Sequence, residues 1–223
     1  MTNDLVSRAK NVLSPVLHHF TELEVVKGKG VYLIAKDGKK YLDFTSGIAV
    51  TNVGHCHPKV VAFAERQIES LIHACAGIVF YEANVALAEK LKSITGEGLD
   101  MAFFCQSGSE AVEAAIKLAK YVTKKTGIIA FEGGFHGRTL GSLSITTSKS
   151  KYREGYEPLL PNVYISPYPY YFKTKEKPEE ASKRCLKEFE ETLKKKKDAI
   201  ALVIVEPVQG LSLIHISEPT RQA

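Results

Sequence analysis

Two stretches and one strand end carry residue types and spacing suited to holding a small anionic, planar ligand. In Ser107-Gly108-Ser109-Glu110, two hydroxyls flank a glycine where a short apolar run, 101–105, gives way to a long helical pattern. A strand-to-helix turn of this kind presents free backbone N–H groups and the positive end of a helix dipole. Both favour an anion such as phosphate, and a glycine lets the backbone approach it closely. The same residues also suit a plain helix start, with Ser107 or Ser109 as N-cap and Glu110 or Glu113 in the first turn. Neither the triphosphate loop (Gly-x4-Gly-Lys-Ser/Thr) nor the dinucleotide fingerprint (Gly-x-Gly-x-x-Gly) occurs.

The second stretch, Glu132-Gly133-Gly134-Phe135-His136-Gly137-Arg138-Thr139, again follows an apolar run. Glycines around an aromatic suggest a platform on which Phe135 stacks against a planar ring, with His136 in support. Arg138 could then grip a carboxylate through two parallel N–H bonds. The alternative is a glycine-rich helix entry with a core Phe and a surface Arg. At the end of the apolar segment 199–205 stands Glu206-Pro207-Val208-Gln209-Gly210. Open α/β sheets bind ligands at such strand ends, although a lone acid there could equally be structural. The cluster Gly54-His55-Cys56-His57-Pro58 lacks further ligands at metal spacing and reads as a turn, so no metal is expected.

The elements that must position these residues follow from periodicity. A short helix over 3–13 is followed by a period-two pattern from Glu22 to Phe44, broken at Asp37-Gly38, which predicts an antiparallel meander. Helices are expected over 58–73 and 82–94. Met101 to Cys105 reads as a buried strand leading into a helix from Gly108 to Lys125, with Ala111, Ala115, Leu118, Ala119 and Val122 as its core-facing stripe. Further strands are expected at 128–131, 163–165 and 199–205, with an amphipathic stretch over 179–193. Strands alternating with helices indicate a mostly parallel sheet with helices on both faces.

Composition narrows the class. The chain has 223 residues, 44% hydrophobic and 25% charged, ordinary for a globular protein, and a formal charge of +5. The one dense basic run, Lys194 to Lys197, reads as a solvated helix end rather than a nucleic-acid face. Four widely spaced cysteines suit a reducing, cytoplasmic setting, and no apolar run reaches membrane-spanning length.

Taken in order, these segments closely resemble the class III pyridoxal-phosphate-dependent aminotransferases, the branch with 4-aminobutyrate, acetylornithine and ornithine aminotransferases. The resemblance spans about residues 18–210. It rests on Asp37-Gly38 with Tyr41-Leu42-Asp43-Phe44, Ser46-Gly47-Ile48-Ala49-Val50, Gly54-His55 with His57-Pro58, Ser107-Gly108-Ser109-Glu110-Ala111, Gly134 to Thr139, and Glu206-Pro207 with Gln209-Gly210. It implies the α/β fold type I of that family, with residues 1–57 from the small domain and 58–210 from the large cofactor-binding domain. It also implies pyridoxal 5'-phosphate held by Ser107, Gly108 and Ser109, Phe135 on the ring with His136 beside it, and Glu206 nearby. Arg138 and Ile48 would meet substrate, and a homodimer is expected, with no nucleic acid or membrane partner.

The chemistry so implied is amino-group transfer from a 4-aminobutyrate-like ω-amino acid to 2-oxoglutarate, with acetylornithine or ornithine as the other donor class. A non-catalytic phosphate-binding relative is a further reading. Transamination needs a Schiff-base lysine and an acid at the pyridinium nitrogen, and no lysine here matches the family's motif. Residues 211–223, Leu211-Ser212-Leu213-Ile214-His215-Ile216-Ser217-Glu218-Pro219-Thr220-Arg221-Gln222-Ala223, depart from the family pattern and resemble adapter read-through. The expectation is a truncated, catalytically incomplete chain with a foreign tail.

Overall fold

In the computed structural model the described residues are 4–16 and 19–211. They fall into two units, within Met1–Gly96 and Glu97–Ala223.

In the first unit α1 (Leu5–Val12) is capped by Asp4, whose carboxylate accepts the Val6 and Ser7 amides. The predicted meander forms as β1 (Val25–Lys29), β2 (Tyr32–Ala35) and β3 (Lys40–Leu42), all antiparallel. Asp37-Gly38 turns the second hairpin: Gly38 takes a φ of 82°, and the Asp37 carboxylate accepts the Lys39 amide at 3.0 Å. The segment α2 (Ser46–Ala49) is a left-handed turn, with positive φ at Ser46, Gly47, Ile48 and Ala49. Such a turn is costly for residues bearing a Cβ, and Asp43 holds its entry by accepting the Thr45 amide, the Thr45 hydroxyl and the Ser46 amide. The other Asp43 oxygen takes His55 Nε2 at 2.7 Å. His55 also exchanges both backbone bonds with Gly30, which fixes the 54–58 turn on the hairpin. Helices α3 (Pro58–Ser70) and α4 (Glu82–Ile94) complete this unit, the second of them with the bounds its periodicity predicts.

The second unit is the α/β part. It runs α5 (Gly108–Thr123), β4 (Gly127–Phe131), α6 (Leu140–Ser144), β5 (Val163–Ser166), α7 (Tyr171–Thr174), α8 (Pro178–Lys196) and β6 (Ile200–Val203). Its sheet is parallel in the order β5-β4-β6, with Ile128 opposite Val163 on one side and Leu202 on the other. The central strand is buried from Gly127 to Ala130, with Phe131 half-buried, because helices pack on both faces. Ile128 and Ala130 join Ile116 of α5 and Ile145 in the core, and Phe131 on the opposite face meets Phe189 of α8 at 5.6 Å between ring centroids. Gly127 is required at the strand's start, where an added Cβ would collide with the Ala199 carbonyl.

Met101 to Cys105 is not a buried strand: Met101 and Phe103 are 98% and 80% exposed. A strand exists only where a neighbour completes its hydrogen bonds, and no described strand pairs with this segment. The core-facing stripe of α5 is also displaced. Leu118 and Val122 are 64% and 68% exposed, whereas Ile116 is buried with Val112 packed beside it. The packed face runs Ser109, Val112, Glu113, Ile116, so two of its four positions are polar, and hydrophobic periodicity selected the neighbouring stripe instead. Lys124 in the left-handed conformation ends the helix.

Candidate functional site

Three segments of the second unit converge through hydrogen bonds: the start of α5, the loop after β4, and the segment after β6. Ser107 is the N-cap of α5, its hydroxyl accepting the Glu110 amide at 3.2 Å, while Glu110 reaches back to the Gln106 amide at 2.6 Å. The plain-cap reading of Ser107 is therefore realised. It does not remove the anion-binding capacity, because an accepting hydroxyl keeps its own proton to donate. Among the described residues the Gly108 and Ser109 amides have no acceptor. An added Cβ at Gly108 would meet nothing within 4 Å, so the turn is open on that side.

Ser109 ties the first segment to the second, its hydroxyl accepting the Arg138 amide at 3.4 Å. One turn later, Glu113 Oε1 accepts the Thr139 hydroxyl at 2.6 Å and the Ser142 amide at 3.1 Å. The loop closes on these side chains because Gly137 and Gly141 lack a Cβ. One added at Gly137 would strike the Ser109 and Ser142 hydroxyls, and one at Gly141 the Glu113 carboxylate. The Arg138 side chain is exposed.

Phe135 is half-buried and meets Tyr152 edge-on at 5.6 Å. Its amide donates to Glu206 Oε1 at 2.7 Å, which joins the second segment to the third. His136 is buried. Its amide donates to the Thr146 hydroxyl, which in turn donates to the Gly137 and Ser142 carbonyls. Burial holds the His136 ring below its ordinary pKa, with Glu206 pulling weakly the other way. The His136 side chain is thus a neutral, packed support near neutral pH.

Glu206 is itself fixed at both ends: Oε2 accepts the Gly210 amide at 3.2 Å, and the Tyr168 hydroxyl donates to the Glu206 and Pro207 carbonyls. Burial, then Glu206, raises the Tyr168 phenol above its ordinary value, so it stays a donor. Gln209 donates to the Glu132 carbonyl at 2.6 Å. Sequence reasoning missed Glu113, Thr139, Thr146 and Tyr168 as site residues. For Glu113 a signal existed, since its distance of four residues from Ser109 matches that from Gly137 to Gly141. For Tyr168, within a Pro-Tyr-Pro-Tyr-Tyr run, no such signal exists.

Ile48 lies in the first unit, in the left-handed turn held by Asp43, with its side chain exposed. His55 is bonded to Asp43, and among the described residues no group of three or more potential ligands could hold a metal.

The model of the family described as aminotransferase class-III matches residues 13–220. The chain belongs to the class-III aminotransferases. Among curated relatives, a probable 4-aminobutyrate aminotransferase of Bacillus subtilis is 40% identical over 83% of this chain and 44% of its own length. An acetylornithine aminotransferase of Methanocaldococcus jannaschii is 43% identical over 87% of this chain and 45% of its own. The chain thus spans less than half the length of these relatives. Among solved structures, an (S)-enantioselective omega-transaminase from Thermomicrobium roseum superposes with a TM-score of 0.84 at 29% identity, over 93% of this chain and 50% of that one. The PMP-bound aminotransferase of Vibrio fluvialis gives 0.82 at 27% identity, over 94% of this chain and 50% of that one. The fold is therefore the fold type I of pyridoxal-phosphate transaminases.

The class-III cofactor is pyridoxal 5'-phosphate, and the donor set suits its phosphate. The start of α5 offers two free amides, two hydroxyl protons and the positive end of a 16-residue helix.

Proposed function

We propose that the enzyme containing this segment transfers an amino group from a carboxylated ω-amine, of which 4-aminobutyrate is the type, to 2-oxoglutarate. Pyridoxal 5'-phosphate is seated by Ser107, Gly108 and Ser109. When bound, it supplies an electron sink for the substrate carbon that loses its proton. Phe135 gives the ring a stacking partner, His136 packs behind it as a neutral support, and Glu206 fixes the Phe135 backbone from the adjoining strand end. Arg138 binds a substrate carboxylate, and Ile48 lines the substrate pocket. The observation that carries this reading is the bond from the Arg138 amide to the Ser109 hydroxyl, which links a residue proposed to hold phosphate to the one proposed to bind the substrate carboxylate.

Acetylornithine is the second donor class, supported by relatives bearing that name, because Arg138 suits either substrate's carboxylate. The enzyme is further proposed to be a cytoplasmic homodimer. Residues 1–57 are assigned to its small domain, 58–210 to the start of its large domain, and the Schiff-base lysine and pyridinium acid to sequence outside these 223 residues. Residues 212–223 lie outside the described residues, and the proposal that the tail from Leu211 is foreign stands against a family match reaching residue 220. Two measurements test the reading. An amino-donor panel on the full-length enzyme with 2-oxoglutarate should favour 4-aminobutyrate over N-acetylornithine. Borohydride treatment of the 223-residue chain with one equivalent of cofactor should label exposed lysines only at low, scattered occupancy by mass spectrometry; one lysine labelled near-stoichiometrically, and lost in Ser109→Ala, overturns the assignment.

A further inference from the structure

We propose that Glu113 is a positioning residue for the cofactor site: its carboxylate fastens the 139–142 turn to the cup helix and thereby holds the Arg138 amide at the Ser109 hydroxyl. The Ser109–Arg138 bond is long, 3.4 Å, too weak by itself to hold a loop of two glycines in place. What holds the loop is on its far side. Glu113 Oε1 takes two donors from it, the Thr139 hydroxyl at 2.6 Å and the Ser142 amide at 3.1 Å. Arg138 lies between the two anchors.

The fit is complementary along the whole edge. Ser109 and Glu113 are one helical turn apart on the same face of α5, and the glycines that receive them, Gly137 and Gly141, are separated by the same four residues. Thr139, the N-cap of α6, makes no capping bond with its own side chain, so Glu113 satisfies the Ser142 amide in its place. A cap alone would act on α6. The added consequence is that the loop's register on α5, and with it the distance from the cup to Arg138, is set from Glu113. Only the ligand arm of the test rests on the reading that Ser107, Gly108 and Ser109 take the cofactor phosphate.

The test is residue-resolved amide exchange on residues 1–223, with a parallel titration by inorganic phosphate followed at the Gly108 and Ser109 amides. In Glu113→Ala, exchange at Arg138 and Ser142 should accelerate about 10-fold while Ile129 in β4 is unchanged. Glu113→Gln, whose amide oxygen can replace Oε1, should stay within about twofold of the parent. Gly141→Ala, whose Cβ displaces the carboxylate, should reproduce Glu113→Ala. Should these two fail to fold, Thr139→Val removes one donor at constant shape and should accelerate Arg138 by about 3-fold. Phosphate binding in Glu113→Ala should weaken by about 3- to 10-fold. Acceleration at Ser142 without Arg138 would reduce Glu113 to a cap of α6, and equal acceleration at Ile129 to a general stabiliser. Either overturns the proposal. A parent chain that shows no phosphate-dependent shift at Gly108 and Ser109 refutes the cup reading, and the exchange pattern still decides the role of Glu113.

Discussion

The Glu206 carboxylate accepts the Phe135 amide at 2.7 Å across 71 residues of sequence. A side chain at the end of one strand thereby fixes the backbone of the residue proposed to face the cofactor ring on the next strand's loop. The other Glu206 oxygen holds Gly210, and Tyr168 clamps the Glu206 and Pro207 carbonyls. The acid is constrained by its surroundings before any ligand arrives.

Removing that acceptor should be felt in the fold. Glu206→Ala leaves the half-buried Phe135 amide without a partner and should cost about 1–3 kcal/mol. Glu206→Gln, which keeps an acceptor oxygen, should recover more than half of that. Urea unfolding midpoints of the two variants and the parent chain measure both.

His136 should make stability fall in mild acid. Its folded pKa lies below the ordinary 6.5 because the ring is buried, so the unfolded chain binds a proton that the folded chain resists. The contribution is fully present above about pH 6.5 and is lost as pH falls through that value towards the folded pKa. The unfolding midpoint of the parent should drop between pH 7 and pH 5 relative to His136→Gln. Parallel curves would remove this term.

Gly137→Ala should be severe. The position combines a φ of +130° with a Cβ that would collide with the Ser109 and Ser142 hydroxyls. Strain and overpacking together predict a loss of about 2–4 kcal/mol, read as a fall in thermal midpoint with α5 and β4 retained by circular dichroism.

The left-handed turn carrying Ile48 should loosen in acid. Hydrogen bonds from the Thr45 hydroxyl and the His55 ring lower the Asp43 pKa to about 2 from an ordinary 3.8. Its stabilisation is therefore complete above about pH 4 and lost as pH falls towards 2. Amide exchange at Thr45 and Ser46, corrected for intrinsic rates, should accelerate over that range in the parent. In Asp43→Asn the change with pH should be smaller.

What was legible in the sequence depended on where the signal lay. Glu82–Ile94 and the Asp37-Gly38 hairpin are specified locally, by helical periodicity and by a glycine able to take positive φ, and both form as expected. The helix start at Ser107 to Ser109 was legible because turn, glycine and helical pattern adjoin in sequence. The packed face of α5 was not, since its anchors Ser109 and Glu113 are polar and bury hydrogen bonds rather than apolar area. Met101 to Cys105 misled because an apolar run specifies a strand only when a partner strand is present. Tyr168 was hidden because its role lies in the Glu206 and Pro207 carbonyls, which composition does not reveal.

The central claim is that the start of α5 holds the cofactor phosphate, and titration of residues 1–223 with pyridoxal 5'-phosphate tests it most directly. Followed by amide NMR, the account predicts saturable shifts at Gly108 and Ser109 that are weakened in Ser109→Ala, with smaller shifts at Phe135 and Arg138. Saturable binding whose shifts avoid Gly108 and Ser109, or binding unchanged in Ser109→Ala, would contradict it.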